Sequence, residues 1–168
     1  QQALAERQAN GDEELRGRRA LVALAPQLTG ELLQQGLAAA RAISYEKARG
    51  WAIAALAPHL TDDLLRQGLD AARAIGDEWA RAEALAALAS QLTGELLQQG
   101  LDAARDIGDK LARAKALAAL APQLNGEARQ QALKQWLETT QDIDDLRYRA
   151  EALAVPARHL NGEVLQQA

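Results

Sequence analysis

One run of residues returns at a fixed spacing along the whole chain. Leu28, Leu60, Leu92 and Leu124 each close a similar stretch and stand 32 residues apart; Leu160 closes the last, 36 residues after Leu124. A period of this size constrains the fold more than any other feature. One such unit cannot bury its own apolar face, whereas stacked units bury a continuous core. The expectation is an all-α chain: an α-solenoid of about five stacked helix-turn-helix repeats. Residues 1–168 then form a single helical-repeat domain with joints near 28, 60, 92, 124 and 160. With helices packing about 8–10 Å apart, the array is a curved rod on the order of 50 Å long. Both ends share the phase of Leu97-Gln98-Gln99, inside a helix, and no Met opens the chain. The chain is therefore expected to be a segment of a longer array.

Composition supports helices. Ala, Leu, Gln, Glu and Arg, the strongest helix formers, dominate, and there is no Phe, Met or Cys. Disulfides and Cys-ligated metals are thereby excluded. The net charge is −4 with both signs interspersed, which disfavours a nucleic-acid binder resting on a basic surface.

Each unit reads as two helices. The first starts after Thr29, Thr61, Thr93, Asn125 or Asn161, residues whose side-chain oxygen can cap a helix. In the copy after Thr93, Leu97, Leu101 and Ala104 form one apolar row, and Leu96, Gly100, Ala103 and Ile107 an adjoining one. A small residue recurs at Gly36, Gly68, Gly100 and Ala132, which predicts a neighbouring helix lying very close. The helix ends at Ile75-Gly76-Asp77 or Ile107-Gly108-Asp109, where Gly suits a left-handed C′ position and Asp can cap the next helix. Ser44-Tyr45 replaces Gly-Asp once and predicts a looser junction. The second helix is Ala-rich and breaks near Pro26, Pro58 and Pro122, with Ser90 predicting a softer break. In the fourth unit Ala132 to Ile143 holds four residues more than Gly100 to Ile107, and Pro156 replaces the usual proline position. Four residues are about one turn, so a longer first helix and a local change of curvature are expected there.

Little in the chain carries chemistry. His59 and His159 occupy equivalent places in distant copies and cannot meet in an array whose units touch only neighbours. Ser44 and Ser90 sit in no nucleophile pattern, and no glycine-rich phosphate loop is present. No enzymatic activity, cofactor or metal is expected.

Three sets of residues are candidates for a partner-binding surface. Arg49, Arg81, Arg113 and Arg149 share one repeat position. Asp77, Asp109 and Asp145 each stand four residues before an arginine, a spacing that stabilises a helix by roughly 0.2–0.5 kcal/mol; a row of guanidinium groups could instead recognise an acidic partner. A glutamine ladder (Gln2, Gln35, Gln67, Gln99, Gln131, Gln167) fits hydrogen bonding between repeats or a solvated face. Two positions of the second helix vary while the scaffold stays fixed: Arg19, Trp51, Glu83, Lys115 and Glu151 at one, Leu15, Lys47, Trp79, Leu111 and Arg147 at the other. Trp and Arg are enriched at binding hot spots, so Trp51 and Trp79 are the preferred anchors. Trp136, in the longer copy, is a further candidate.

The run ALAPQLTGELLQQGLDAARDIGDK followed by ARAKALAALAPQL resembles the TPR-like and HEAT-like helical-hairpin repeats of large bacterial signalling proteins. Those arrays often lie C-terminal to a STAND-type NTPase domain. The period of 32 departs from the 34 of a standard TPR, and the TPR signature aromatics are not reproduced, so TPR groove contacts are not carried over. The resemblance implies a sensor or scaffold in the bacterial cytoplasm. It would bind a protein or peptide partner, with no membrane and no nucleic acid, and an NTPase domain outside this segment would respond. A spacer or self-association module is the alternative; a nucleic-acid-binding array would need a continuous basic face, which the acids beside the arginines interrupt.

Overall fold

In the computed structural model of the chain, residues 20–154 are described. Among them every regular element is helical. A helical stretch at 20–24 leads into a 3-10 turn, Ala25–Gln27. Then come α1 (Gly30–Ala42), α2 (Glu46–Leu56), α3 (Asp62–Arg73), α4 (Glu78–Leu88), α5 (Gly94–Arg105), α6 (Lys110–Leu120), α7 (Gly126–Gln141) and α8 (Leu146–Ala154). The fifth unit, Leu160, Pro156, His159 and the variable positions Leu15 and Arg19 lie outside the described residues, as do Gln2 and Gln167.

The repeat dictates the core. Leu37, Leu69 and Leu101 are fully buried at a 32-residue interval, as are Ile53, Leu85 and Leu117, and Leu60 and Leu92. Leu37, Leu69 and Leu101 come from one face of the odd-numbered helices, Ile53, Leu85 and Leu117 from the even-numbered ones, and Leu60 and Leu92 directly follow 3-10 turns. The Ala-rich helices α2, α4 and α6 are buried on several sides, and α2, α4, α6 and α8 pack on one another in chain order, α8 burying Ala152. The predicted rows of α5 are buried, with Leu96 half-buried at their margin.

Local chemistry departs from expectation at the helix starts. Thr29, Thr61, Thr93 and Asn125 make no side-chain cap. They give their backbone carbonyls instead: Leu32 donates to Thr29, Leu64 and Leu65 to Thr61, and Leu97 to Thr93. The cause lies one residue on. Gly30, Gly94 and Gly126 have φ of +51°, +52° and +55°, and Asp62 has +48°. That left-handed residue turns the chain into the helix and leaves the threonine hydroxyl misdirected. Asp is among the few L residues that tolerate such a φ, which accommodates Asp62 where the other copies have Gly. The true side-chain caps are Asp77, Oδ1 accepting from the Ala80 N–H at 2.9 Å, and Asp109, accepting from Ala112 at 2.8 Å. Tyr45, at the Ser-Tyr junction, supplies no such cap.

Gly76 and Gly108 are not left-handed, contrary to expectation; positive φ among the described residues is confined to the four helix starts. Their small size is needed for another reason. A Cβ on Gly76 would meet the Glu46 Oε1 at 3.0 Å, and one on Gly108 the Glu78 Oε1 at 2.8 Å. Each glutamate comes from the preceding unit.

At Gly36, Gly68 and Gly100 the neighbouring helix is close, as expected, through Leu56, Leu88 and Leu120 at 3.8, 3.7 and 3.5 Å from an added Cβ, and a second leucine is closer still. A Cβ there would meet a leucine methyl: Leu28 Cδ1 at 3.1 Å, Leu60 Cδ1 at 2.5 Å, Leu92 Cδ1 at 2.8 Å. The close backbone approach occurs at Gly50, where a Cβ would stand 2.9 Å from both the Cβ and the carbonyl oxygen of Ala80. Here α2 and α4 come together.

Ser90 is no softer a break than proline. Ala89–Gln91 forms the same 3-10 turn as Ala57–His59 and Ala121–Gln123. The first helix of the fourth unit is longer, as expected: α7 has 16 residues where α5 has 12.

Candidate interaction surface

The candidate surface is built from what the repeats do not use to hold one another. Much of the polar chemistry is consumed internally. At the start of α2, Glu46 reaches into the next unit and accepts the N–H of Gly76 at 2.8 Å and of Asp77 at 2.6 Å. Glu78, at the start of α4, does the same to Gly108 and Asp109, both at 2.7 Å. At the start of α6 the equivalent residue is Lys110, whose ammonium donates to the carbonyl of Asp142. The sign of the charge has reversed and so has the partner, from N–H to C=O. These residues form a staple between units that the repeat pattern does not reveal. The Glu78 carboxyl is held below its ordinary value, first by the N–H of Gly108, then by that of Asp109, with Arg81 and Arg113 adding attraction.

The arginine ladder is turned inward. Arg49 Nη2 donates to Glu46 Oε1 at 3.1 Å, and Arg81 Nη2 lies 3.7 Å from Glu78 Oε1. Arg113 Nη1 donates to the Ile107 carbonyl at 2.8 Å, and Arg149 Nε and Nη2 donate to that of Ile143 at 2.9 and 2.6 Å. Two of these arginines thus satisfy the carbonyl at the end of the preceding helix, which otherwise has no intrahelical partner. The aspartates four residues earlier do not form the expected ion pairs with them. Their carboxylates cap instead, Asp145 accepting from the Arg147 N–H at 2.8 Å. All four arginines are half-buried.

Two members of the glutamine ladder are local as well: Gln35 donates to Glu31 and Gln99 to Glu95, each four residues back on one helix. Inter-repeat hydrogen bonding comes from elsewhere, with Arg105 Nε donating to Gln135 Oε1 at 2.9 Å.

The tryptophans separate. Trp136 is 4% exposed, inside the core, with no hydrogen-bond partner for its Nε1 among the described residues. It supplies packing and presents no surface, which corrects its place among the anchors. The extra turn of α7 puts it on the buried row Ala132, Trp136, Thr140 and Ile143, a spacing of four, four and three that points to the core. Trp51 is half-buried. Trp79 is 43% exposed at the start of α4. Its repeat equivalents Lys47 and Arg147 are exposed and Leu111 is half-buried. This edge, at the starts of the even-numbered helices, also carries exposed Tyr45 and Tyr148.

Two clefts lie between units. One, of about 530 Å³, opens between the starts of α3 and α5 and is lined by Thr61, Asp62, Asp63, Arg66, Gln91 and Leu96 among others. The second, of about 370 Å³, is lined by Asp70, Arg73, Ala74, Arg81, Ala103 and Asp106. Among the described residues no group of His, Cys, Asp or Glu could hold a metal ion. None of the described helices is long and apolar enough to cross a membrane.

No family model matches the chain, and no curated protein or solved structure matches it.

Proposed function

We propose that the chain is a five-unit α-solenoid that captures a protein or peptide partner. The carrying observation is Trp79, a large indole exposed at an edge where the repeat equivalents range from Lys47 to Arg147. The scaffold needs none of this variety, since the core repeats almost unchanged beneath it. Exposed aromatics flanked by variable charge are what a binding surface requires. Its resemblance to the repeat arms of bacterial signalling proteins supports a sensor role next to an NTPase domain.

The test is quantitative affinity capture with the immobilised chain and its Trp79→Ala and Arg147→Glu variants. Both substitutions fall on exposed residues and should leave the helical circular-dichroism spectrum unchanged. A partner enriched by the native chain and lost with the variants supports the reading. The same partner retained by both variants removes this edge from it.

A further inference from the structure

The odd-numbered helices share one design, but α7 starts from different residues. Asn125 and Gly126 stand where the earlier units have Thr29-Gly30, Thr61-Asp62 and Thr93-Gly94. Counted from the helix starts, Leu33, Leu65 and Leu97 are buried and anchor the first turns of α1, α3 and α5. At that place α7 has half-buried Arg129, next to exposed Ala128. The backbone is held less closely too. The Arg129 N–H reaches the Asn125 carbonyl at 3.4 Å, against 3.1 Å for the bond to Thr29, 3.0 and 3.2 Å to Thr61 and 3.3 Å to Thr93. Asn125 is exposed and its carboxamide caps nothing. The Gly126 N–H is one of the unpaired donors of a first helical turn and has no acceptor among the described residues. Gly126 is itself exposed, and beyond its own turn no atom comes within 4 Å of the place a Cβ would take. A free carboxamide thus stands beside a backbone nitrogen that nothing shields.

We infer that Asn125-Gly126 is a self-modification site, where the chain converts its own asparagine to aspartate and isoaspartate with water as co-reactant. The Gly126 nitrogen, having given its proton to hydroxide, attacks Asn125 Cγ. The new N–Cγ bond closes a succinimide ring as the Cγ–Nδ2 bond breaks, and Nδ2 takes up a proton and leaves as ammonia. Water then opens one ring carbonyl to give aspartate or the other to give isoaspartate. Water is consumed, ammonia is released, and no atom changes oxidation state. Threonine has no carboxamide, so the three earlier joints are closed to this reaction. The two products act differently on α7. Aspartate places a negative charge at the positive end of the helix. Isoaspartate runs the main chain through Cβ and removes from it the carbonyl that accepts from Arg129. The joint between α6 and α7 is therefore the point at which the array alters with age, whether or not the chain captures a partner.

The test is ageing of the full chain at neutral and mildly alkaline pH in ¹⁸O-labelled water. Tryptic mapping in ordinary water follows, so that conversion during digestion stays unlabelled. The peptide spanning Asn125 contains no other asparagine, which separates it from Asn10-Gly11 and Asn161-Gly162, outside the described residues. The expected result is labelled aspartate and isoaspartate forms of that peptide, accumulating faster at the higher pH. Opening of a frayed helix end costs close to nothing. The rate in the folded chain should therefore stay within roughly tenfold of that in the isolated peptide 116–129, about 1.4 kcal/mol of protection at most. Arg129→Leu restores the buried leucine of the other units and should slow conversion in the folded chain. Protection of roughly a hundredfold or more overturns the site, and so does conversion to aspartate without isoaspartate. A rate unchanged by Arg129→Leu overturns its assignment to the loosely anchored first turn.

Discussion

The α4/α5 and α6/α7 seams differ by a few side chains and one helical turn, and the result is an open cleft against a packed contact. In the closed seam, α7 supplies Gln135 and Thr139 to two arginines and buries Trp136. In the open seam, α5 has Ala103, Arg81 keeps an orphan Nε, and the units are joined through Glu78 to Gly108 and Asp109. The framework of the array is thus separable from the polar chemistry of its seams. Leucine and alanine ladders fix how units stack. The residues of the first helix that face the preceding unit decide whether a seam is sealed or left available.

The largest expected effect opens the closed seam. Trp136→Ala removes a buried indole, and substitutions of this class cost about 3–5 kcal/mol. Chemical denaturation should show that loss; a cost typical of a surface position would mean that Trp136 does not seal α7 against its neighbours.

A smaller effect distinguishes backbone approach from side-chain contact. At Gly50 an added methyl meets the Ala80 carbonyl and Cβ, which cannot move without shifting a helix. Gly50→Ala should cost about 1–3 kcal/mol, the range for overpacking. At Gly68 the obstacle is the end of Leu60, and the fourth unit carries Ala132 at the equivalent place. There the clash is offset by the roughly 0.5–1 kcal/mol by which Ala exceeds Gly inside a helix, so Gly68→Ala should be nearly neutral. Equal costs at the two positions would contradict the assignment of close approach to Gly50.

A third test addresses the staple of the open seam. The Glu78 carboxyl is depressed below its ordinary value of 4.5, chiefly by the Gly108 N–H. A depressed acid contributes stability that is complete above the ordinary value and is lost as pH falls through the lower folded one. Stability measured from neutral pH down through the carboxylate range should decline less in Glu78→Gln than in the native chain. Parallel pH profiles would show that the staple holds no ionised carboxylate.

Much of the fold was legible from the period alone. The breaks near the described prolines, the lengthened α7 and the aspartate caps of α4 and α6 all follow from residues counted along one chain. Several of the failures share a cause: they depend on what lies across a unit boundary. Glu46 and Glu78 look like helix-start acids until the next unit's Gly-Asp is seen to sit against them, 30 and 31 residues on. Gly76 looks like a left-handed terminator, but its missing Cβ makes room for that glutamate. Gly50 replaces an alanine found in other copies, and only the packing of α2 on α4 shows why. The arginine ladder was visible as a row, while its direction was not, since two of its members face a glutamate three residues back and two donate to backbone carbonyls that every residue possesses. A usable signal did exist for the seam: aligning α7 to α5 from their C-terminal ends sets Thr139 against Ala103 and exposes the difference.

The reciprocal exchange of that one residue tests the central claim most directly. Thr139→Ala and Ala103→Thr should be compared with the native chain by equilibrium denaturation. Thr139→Ala leaves the Arg113 Nε without its acceptor and should lose on the order of 1 kcal/mol, the lower end for a buried donor left unsatisfied. Ala103→Thr should raise stability by up to about 1 kcal/mol, because the new acceptor outweighs the weaker helix propensity of threonine. Opposite signs at the two positions are the predicted result. Loss of stability in both variants, or no change in either, would mean that the acceptor on the first helix does not decide whether a seam is open or closed.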